Sequence, residues 1–515
     1  MAKQQMPDAS PFQDRPPTSL ADFFEKDAKT ALIIGKDRWS RARLAREGDE
    51  FAAALHQAGV RPGDRVVLHL EAGPEIVLLY LACFRLGAIA CPMYPHYKPA
   101  ELEAMFRRLR PVLYVGHNEL HGKIAGVDES VLPAEARFVV DPGENPSARS
   151  WSCLLGSSLP VPKADVDLDA AAVLLATSGT TGEPKLVAHS QASLAAYARR
   201  LAFREIRAGQ VIAYTLELAH MPGIGHVLAC LHHGATLVVV DRADPGAILD
   251  SIEAERCTYL AAVPRLHGKL AEHQRERARD VSSLQFCISL ADACPPDIEQ
   301  AFAAVFGLPL RSTWSSTEAA GSLTYGLQTG NVSRPTPGIE VRLVNDHDQP
   351  VAPGIAGEMM LKGDNVMLGY WKGPGEWDGL DAGWFRTGDL MREDDMGGLW
   401  FEGRGKDIIV VAGDNVSPVE VERVLAGHPA VRDVGVVGLE DAVTGQQVVA
   451  AVVLAEGYSE EIMQDILQTT SSQLADFKVP RRLLPVPVLP RSPAGKINRK
   501  QVVSFFAQDV LTLGL

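Results

Sequence analysis

The chain has 515 residues, which is too long for one hydrophobic core, so two or more domains are expected. Its composition, 46% hydrophobic and 22% charged, is typical of a globular protein. The net charge of −14 argues against nucleic acid as a partner, because phosphate backbones bind basic surfaces.

The sequence offers no segment for insertion into a membrane. The longest apolar run, Ile76–Phe84, is too short to span a bilayer and stops at Arg85. Residues 1–19 are polar and proline-rich and lack the apolar core of a signal peptide, so we expect a disordered tail there. The seven cysteines form no CxxC pair, which favours free thiols in a reducing, cytoplasmic environment.

The first part of the chain alternates between strand and helix patterns. Leu20–Leu55 has helical periodicity that ends near Gly59. The alternation that follows predicts βα units on a parallel sheet. The predicted strands are Val66–Leu70, Ala88–Met93 and Val112–Val115, and the predicted helices are Glu75–Leu86, closed by Gly87, and Pro99–Leu109. A connector rich in Ser, Pro and Gly follows at Pro142–Pro162.

The most informative stretch is Ala172–Lys185, an apolar run that breaks off into hydroxyls and glycines and closes on a lysine. Val173–Ala176 predicts a short buried strand. The glycines allow the loop to turn its N–H groups inward, and such a concavity binds anions, above all phosphates. The lysine spacing, Gly-x-x-Gly-x-x-Lys, is not that of a Walker A loop. The residues expected to bind polyphosphate are Thr177, Ser178, Gly179, Thr180, Thr181, Gly182 and Lys185.

Beyond this loop the alternation continues. Ser190 predicts the N-cap of a helix through Leu201. The predicted strands are Val211–Leu218, Thr236–Val240, Tyr259–Val263 and Phe286–Leu290, with a helix through Leu231. The histidines at positions 220, 226, 232 and 233 lack i, i+4 spacing and have no completing carboxylate or thiol, so we expect no metal site among them.

The C-terminal part has a different pattern of predicted strands and helices. Ile408–Val411 predicts a strand, and Ser417 to Glu420 forms a capping-box pattern with Pro418 at the first helical position. Predicted strands at Val434–Val437 and Val448–Leu454 and a helix at Ser459–Leu474 complete a small α+β domain. Between Lys478 and Lys500 every charge is positive, which is either a solvated basic face or a binding surface for phosphates.

Several segments, in order, resemble the signature motifs of the adenylate-forming superfamily, which includes acyl- and aryl-CoA synthetases, luciferases and the adenylation domains of nonribosomal peptide synthetases. The phosphate loop resembles T-S-G-T-T-G-x-P-K. Thr313–Glu318 resembles x-Y-G-x-T-E, and Gly383–Asp389 resembles W-x-x-T-G-D. Gly403–Asp407 resembles G-R-x-[KD]-D, and Pro490–Arg499 resembles P-x-T-x-x-G-K-I-x-R.

The resemblance runs from about Leu20 to Lys500 and implies an α/β fold. The expected N-terminal domain, residues 20–405, binds ATP and acid on parallel-rich βα sheets. The expected C-terminal domain, residues 406–515, is a small, mobile α+β unit that hinges at Lys406.

The resemblance also implies roles for single residues. Thr317 touches phosphate and carboxylate, Glu318 binds Mg²⁺, and Lys496 catalyses adenylation. The residues implied in nucleotide or coenzyme A binding outside the phosphate loop are Asp292, Ala293, Trp314 against adenine, Ser316, Asp389 and Arg404 at the ribose, Lys406, and Gly413 at the pantetheine tunnel. The residues implied in the acyl pocket are His220, Ala291 and Ser315.

The implied activity is that of an AMP-forming acid–thiol ligase with ATP, Mg²⁺ and coenzyme A as cofactors. A small carboxylic acid and ATP give acyl-AMP and pyrophosphate, and the thiol of coenzyme A then gives the thioester and AMP. Peptide-synthetase domains carry an aspartate for the substrate amine near the position of His220. Because this chain has Leu218-Ala219-His220 there, we expect an acid without an α-amine, handled by a monomer or homodimer.

Three alternatives stay open at the level of sequence. The acceptor could be the phosphopantetheine arm of an acyl carrier protein. The enzyme could perform the thioester-forming step alone, since Leu186, Trp314 and Ser315 depart from the motifs. It could also be a silent adenylate-binding protein, against which the retained Glu318, Asp389, Arg404 and Lys496 argue.

Overall fold

The computed structural model describes residues 19–140, 149–155, 165–177, 185–240, 244–290, 294–325, 332–404, 407, 409–411, 414–441, 444–455, 457, 459–474, 476–491 and 496–512.

The N-terminal part alternates strands and helices, as predicted. Its strands up to residue 312 are β1 (Thr30–Ile34), β2 (Asp37–Ser40), β3 (Arg65–His69), β4 (Ile89–Pro92), β5 (Leu113–Gly116), β6 (Arg137–Val139), β7 (Arg149–Ser150), β8 (Ala171–Thr177), β9 (Lys185–Ser190), β10 (Val211–Tyr214), β11 (Thr236–Val239), β12 (Tyr259–Ala262), β13 (Phe286–Ser289) and β14 (Leu310–Ser312). Its helices are α1 (Arg41–Gln57), α2 (Pro74–Leu86), α3 (Pro99–Leu109), α4 (Asn118–His121), α5 (Gln191–Arg200), α6 (Met221–His233), α7 (Pro245–Glu255), α8 (Pro264–Glu276) and α9 (Pro296–Phe306).

A run of strands follows, with no helix between them among the described residues. These strands are β15 (Leu323–Tyr325), β16 (Val332–Pro335), β17 (Glu340–Val344), β18 (Ala356–Lys362), β19 (Gly369–Gly373), β20 (Glu376–Asp378), β21 (Leu380–Asp381), β22 (Trp384–Glu393) and β23 (Leu399–Arg404). The C-terminal elements are β24 (Ile409–Val411), β25 (Asp414–Val416), α10 (Pro418–Ala426), β26 (Val431–Asp441), β27 (Gly445–Leu454), α11 (Glu460–Ser471), β28 (Arg482–Pro485) and α12 (Arg499–Thr512).

Two sheets of the N-terminal part are mostly parallel, which confirms the predicted fold class. The first sheet has the order β14-β13-β12-β10-β11-β1-β2, with β2 antiparallel. The second has the order β20-β19-β9-β8-β4-β3-β5-β6-β7. In the second sheet the strands from β8 through β4, β3, β5 and β6 to β7 pair parallel to one another. Strands β9, β19 and β20 extend the sheet beyond β8 and pair antiparallel.

The main core of this part contains side chains of both sheets and of α1, α2, α5 and α6. Strand β3 shows why the sequences are apolar throughout. Val66 and Leu68 belong to this core, whereas Val67 belongs to a second core with α3 on the other face of its sheet. Strands that are buried on both faces give continuous apolar runs rather than alternation.

The predicted helix boundaries hold where a cap fixes them. Helix α2 ends at Gly87, whose φ of 65° is left-handed, and α3 spans Pro99–Leu109 as predicted. The Ser190 hydroxyl accepts the N–H of Ser193 at the start of α5. Among the described residues, no helix is long and apolar enough to cross a membrane.

The predicted helix over Leu20–Leu55 is wrong in its first half. The hairpin β1–β2 occupies Thr30–Ser40, and α1 begins only after the N-cap Ser40. Ala31 to Ile34 form an apolar run that pairs with β11, and Gly35, with φ of 59°, makes the turn. A buried parallel partner therefore overrides local helical periodicity here.

A third, antiparallel sheet was not predicted from the sequence. Its order is β15-β16-β23-β22-β18-β17, with β21 paired to β22. Strand β18 alternates between exposed or half-buried and buried residues, because one face packs on a core and the other faces outwards. This sheet places β22 and β23 beside the segment that follows β14.

The C-terminal domain has its own sheet, in the order β25-β24-β27-β26 with β28 parallel to β27, and its own apolar cores. The Ser417 hydroxyl accepts the N–H of Glu420 at the start of α10, as the capping pattern predicts, and it also donates to the Glu402 carbonyl on β23. Helix α10 contacts β23 and α9, and through these elements it joins the domain to the N-terminal part.

The cysteines are free thiols, and six of the seven are buried. Burial raises the pKa of Cys257 and Cys287 to about 12, and it raises the pKa of Cys83, Cys91 and Cys230 further. Cys153 is exposed.

We predict that Gly225→Ala destabilises the protein strongly. A Cβ at Gly225 on α6 would lie 1.9 Å from the ring of Tyr197 on α5, and that ring is 1% exposed and cannot move aside. Overpacking of this kind costs about 1–3 kcal/mol or more. The control is Gly268→Ala on α8, where the nearest atom would be 3.8 Å away and the helix should gain about 0.5–1 kcal/mol. Thermal and urea unfolding of both variants test this, and equal midpoints would contradict it.

We predict that the buried histidines make the fold acid-labile. Burial lowers the pKa of His267 to about 4, and the pKa values of His69, His189, His226 and His233 are lowered similarly. An unfolded histidine titrates near about 6.5, so the stabilisation is complete above that pH and is lost as pH falls towards 4.

In the wild-type protein, each of these buried histidines takes up a proton on unfolding between about pH 4 and 6.5. His267→Gln removes one such group, so the free energy of unfolding should change less with pH, by up to about 1.4 kcal/mol per pH unit. Urea unfolding between pH 4.5 and 7.5 measures the slope, with the exposed His347→Gln as control. Parallel wild-type and His267→Gln curves would count against the prediction.

Candidate active site

The ends of the predicted phosphate loop lie on adjacent strands. Strands β8 and β9 pair antiparallel, and their register places Thr177 opposite Lys185. Thr177 is half-buried and Lys185 is exposed. The remaining predicted loop residues, Ser178 to Gly182, lie outside the described residues. The loop therefore connects two paired strands at the edge of the second sheet's parallel region.

One tyrosine contacts both a predicted phosphate ligand and the predicted magnesium ligand. The Lys185 Nζ lies 4.2 Å from the centroid of the Tyr370 ring. The Tyr370 hydroxyl donates to Glu318 Oε1 at 3.1 Å. Lys185 and Glu318 are thereby brought to the same place, as the motifs imply. Tyr370 was missed by the sequence analysis.

The segment Thr313–Glu318 follows β14 and approaches β22. The Trp314 indole N–H donates to Asp389 Oδ2 at 2.7 Å, and its backbone N–H donates to Ser333 Oγ at 2.9 Å. Asp389 is 4% exposed, and on β22 it pairs in register with Arg404 on β23. The structure thus joins the predicted adenine-binding aromatic residue directly to the predicted ribose-binding carboxylate.

The backbone of this segment is held by bonds from several sides. His189 on β9 donates from Nε2 to the Thr317 carbonyl at 2.8 Å, and Met367 N–H donates to the Glu318 carbonyl at 2.8 Å. The Ser316 hydroxyl accepts the N–H of Ala319 at 3.2 Å. Burial lowers the pKa of His189 to about 4, so the imidazole is neutral near pH 7. The threonine and glutamate are therefore presented on an ordered turn.

Arg204 is a second residue that the sequence analysis missed. The residue is 2% exposed, and its guanidinium donates to the Leu323 carbonyl at 2.5 and 3.2 Å and to the Trp314 carbonyl at 3.5 Å. Burial lowers its pKa. These bonds hold the start of the segment, at Trp314, and the chain just beyond it, at Leu323, and an arginine in the short turn after α5 gives no local sequence signal of this.

The predicted acyl-pocket residues are described in part. His220 precedes α6, and its ring lies 5.2 Å from that of Tyr94, at an angle of 36°. Ser315 is half-buried. Ala291, Asp292 and Ala293 lie outside the described residues. The other three histidines bond to backbone carbonyls of Pro222, Phe23 and Ala198.

The predicted catalytic lysine lies on the C-terminal domain. Lys496 is exposed and precedes Ile497, which bridges to Arg491. Three basic residues of this tail form ion pairs within the domain: Lys478 with Glu420, Arg491 with Asp433 and Arg499 with Glu422. The tail is therefore less available to phosphates than its composition indicates. Lys406 and Gly413 lie outside the described residues.

The residues present fit a magnesium ion. Glu318 is a half-buried carboxylate with Oε1 fixed by Tyr370. Mg²⁺ takes few protein ligands and completes its shell with water and phosphate oxygens. No group of three His, Cys, Asp or Glu that could hold a metal occurs in the part of the chain that the structure describes. A single carboxylate beside a phosphate loop is consistent with the ion's preference.

Family models match both parts of the chain. The model described as AMP-binding enzyme matches residues 24–371, and the one described as AMP-binding enzyme C-terminal domain matches residues 420–496.

Curated and solved relatives match over nearly the whole length. Indoleacetate–CoA ligase of Aromatoleum aromaticum is 30% identical, over 95% of this chain and 98% of that protein. Medium-chain fatty-acid–CoA ligase of Escherichia coli is 31% identical, over 96% and 92% respectively. The crystal structure of ATP-bound MatB from Rhodopseudomonas palustris superposes with a TM-score of 0.85 at 26% identity, covering 95% of this chain and 98% of that chain.

We predict that Trp314→Phe raises the KM for ATP about ten-fold while kcat changes little. Phenylalanine keeps an aromatic face but loses the N–H that orients Asp389, and a hydrogen bond to a charged group is worth roughly 1.5–3 kcal/mol. A contact made equally in ground and transition states affects KM rather than kcat.

The matched control for this variant is Trp400→Phe. Trp400 donates its indole N–H to Asp394 at 2.8 Å, which is the same kind of bond away from the site. Steady-state kinetics with varied ATP measures both variants. Equal KM values for the two would show that the Trp314 bond has no part in ATP binding.

Proposed function

The chain belongs to the AMP-binding enzyme family and is an acid–thiol ligase, and we propose that the residues of its site divide the two half-reactions of acyl-CoA formation between them. The acid and ATP give acyl-AMP and pyrophosphate, and the thiol of coenzyme A then displaces AMP. The observation that supports the proposal best is that Tyr370 contacts both Lys185 and Glu318, while Trp314, on the same segment as Glu318, bonds directly to Asp389.

In the first half-reaction a carboxylate oxygen attacks the α-phosphorus of ATP, and pyrophosphate leaves. The protein supplies no covalent nucleophile, because its task is to hold two anions together and to offset the developing charge. In this proposal the loop and Lys185 bind the outer phosphates, and Thr317 contacts the phosphate and the acid. Lys496 bridges the carboxylate and the α-phosphate. Magnesium, held by Glu318, supplies further neutralising charge when bound.

The nucleoside is held at the other end of the same segment. Trp314 packs on adenine and orients Asp389, whose carboxylate binds the ribose hydroxyls together with Arg404. Asp292, Ala293 and Ser316 complete the nucleotide contacts. The short bond from Trp314 to Asp389 supports this arrangement, because it couples the base contact to the ribose contact.

The second half-reaction requires a different arrangement of the domains. We infer that residues 406–515 rotate about Lys406, withdraw Lys496 and bring the loop at Gly413 to the thiol path. Separate apolar cores in the C-terminal domain support its movement as a unit. Such a movement is needed because both half-reactions use one site, and Lys496 must be present for the first and withdrawn for the second.

Two of the three departures from the family motifs, Leu186 and Trp314, do not favour an enzyme limited to the thiol step. Leu186 is fully buried in the core below β9, with Leu174 and Ala188, so it does not project into the site. The Trp314 indole N–H donates a hydrogen bond to Asp389, the proposed ribose ligand. Both observations support retention of adenylation.

The acid is proposed to lack an α-amine, since His220 and Tyr94 offer an aromatic wall where an amine-binding aspartate would stand. Ser315 and Ala291 complete that pocket in the proposal. The test is a panel of aryl, arylalkanoic, fatty and polycyclic acids with ATP and Mg²⁺. Coenzyme A or a phosphopantetheinylated carrier protein is the acceptor, and mass spectrometry detects new thioesters. We further propose a cytoplasmic monomer or homodimer.

We predict that Lys496→Ala lowers the rate of adenylation roughly 10²–10³-fold, since a preorganised electrostatic partner is lost. Thioester formation from presynthesised acyl-AMP should persist, because Lys496 leaves the site before that step. Pyrophosphate exchange and thioester release, assayed on one preparation, measure the two steps. Exposed Lys500→Ala is the control and should match wild type in both. Equal losses in both half-reactions would refute the division of roles.

A further inference from the structure

We propose that Tyr370 is a positioning residue that keeps Lys185 and Glu318 apart and directs each to its own part of the nucleotide. This inference rests on the proposed function, in which Lys185 binds phosphate and Glu318 holds magnesium. The tyrosine ring stands between a cation and an anion, with its face to the lysine and its hydroxyl to the carboxylate.

The pairing of strands brings the tyrosine to this position. Strand β19 pairs antiparallel with β9, with Tyr370 opposite Val187. Lys185 lies two residues from Val187 and therefore on the same face of the sheet. Glu318 is tied to the same region through the Met367 N–H, which donates to the Glu318 carbonyl at 2.8 Å. The relative position of the three side chains is thus set by backbone hydrogen bonds.

The Tyr370 ring packs closely against a glycine. Gly379 has φ of 93° and lies so close that a Cβ there would come 2.5 Å from Tyr370 Cδ2. At Gly369, with φ of 145°, a Cβ would come 2.7 Å from Trp377 Cβ on β20. The approach at Gly379 limits how far the ring can turn, whereas the approach at Gly369 holds β19 close to β20.

The separation matters because the two charges would otherwise neutralise each other. Among the described residues, no ion pair joins Lys185 to Glu318. If the Lys185 ammonium paired with the Glu318 carboxylate, the ammonium would no longer be available to bind phosphate. The carboxylate would no longer be available to bind the metal. An aromatic ring can attract the cation by its face and donate a hydrogen bond to the anion, and so it satisfies both without cancelling either.

The first test measures the Kd of ATP with and without Mg²⁺, by tryptophan fluorescence or calorimetry. Tyr370→Phe keeps the ring beneath Lys185 and removes the donor to Glu318. We expect its Mg²⁺-free Kd to stay within about twofold of wild type, whereas the gain in affinity on adding Mg²⁺ falls about 3–10-fold. This variant keeps the aromatic ring, so it also serves if Tyr370→Leu fails to fold.

The second test removes the spacer. In Tyr370→Leu we expect Lys185 to pair with Glu318, so that ATP binds more weakly without Mg²⁺ and the Mg²⁺ gain is nearly lost. Adding Lys185→Gln to this variant should restore part of that gain, because Glu318 is released. In the wild-type background the same Lys185→Gln change should weaken ATP binding without raising the Mg²⁺ gain.

Lys372→Gln is the matched control, on the same strand but in an exposed ion pair with Asp378, and it should behave as wild type. The inference is overturned if Tyr370→Phe and Tyr370→Leu retain the wild-type Mg²⁺ gain, or if Lys185→Gln has the same effect in both backgrounds. Failure of the wild-type protein to bind ATP or to form acyl-AMP would instead overturn the proposed function. The two failures are therefore distinguishable.

Discussion

The contact on which this structure most depends is the burial of the Tyr197 ring between two glycines. Gly225 on α6 approaches one edge of the ring, and Gly321, with φ of 79°, approaches another so closely that a Cβ would lie 2.4 Å away. Gly321 lies just beyond the turn that carries Thr317 and Glu318. One aromatic ring thus connects the helices of the main core to the segment that forms the site. Packing at this density transmits displacement, so a change inside the core reaches the polar groups at the surface.

The site itself is a small polar network on an apolar scaffold. Neutral His189, cationic Arg204 and Tyr370 fix the backbone and side chains of one short segment, and each reaches it from a different strand or helix. Buried bonds of this kind are costly to break, because the partner left behind is unsatisfied. Electrostatic catalysis requires that the polar groups of the site are already oriented before the substrate binds, because their dipoles then need not reorganise during the reaction.

The sequence predicts the parts of this molecule that depend on local signals. Capped helices such as α2, α3 and α10 begin and end where Ser, Pro and Gly indicate, and the apolar runs of the parallel strands are unmistakable. The hairpin β1–β2 was missed because its stability comes from β11, some two hundred residues away. The antiparallel sheet was missed because its strands alternate only weakly and are interrupted by glycines.

The same limit applies to the site. Its motifs were located by resemblance to a family, and the structure brings Lys185, Glu318, Trp314 and Asp389 together. His189, Arg204 and Tyr370 could not be found in this way, because each acts on a residue far away in the sequence and has no distinctive neighbours. The indole bond to Asp389 is likewise visible only in three dimensions, since it joins positions 75 residues apart.

The placement of the cysteines has a consequence for the fate of the activated acid. A mixed anhydride of acid and AMP is an electrophile that any thiolate within reach could intercept. This chain keeps six of its seven cysteine thiols in apolar surroundings, and the five whose pKa is raised by burial stay protonated and poorly nucleophilic at neutral pH. Self-acylation is thereby suppressed by burial. The thiol of coenzyme A therefore has few reactive thiols of the enzyme itself to compete with for the acyl-AMP.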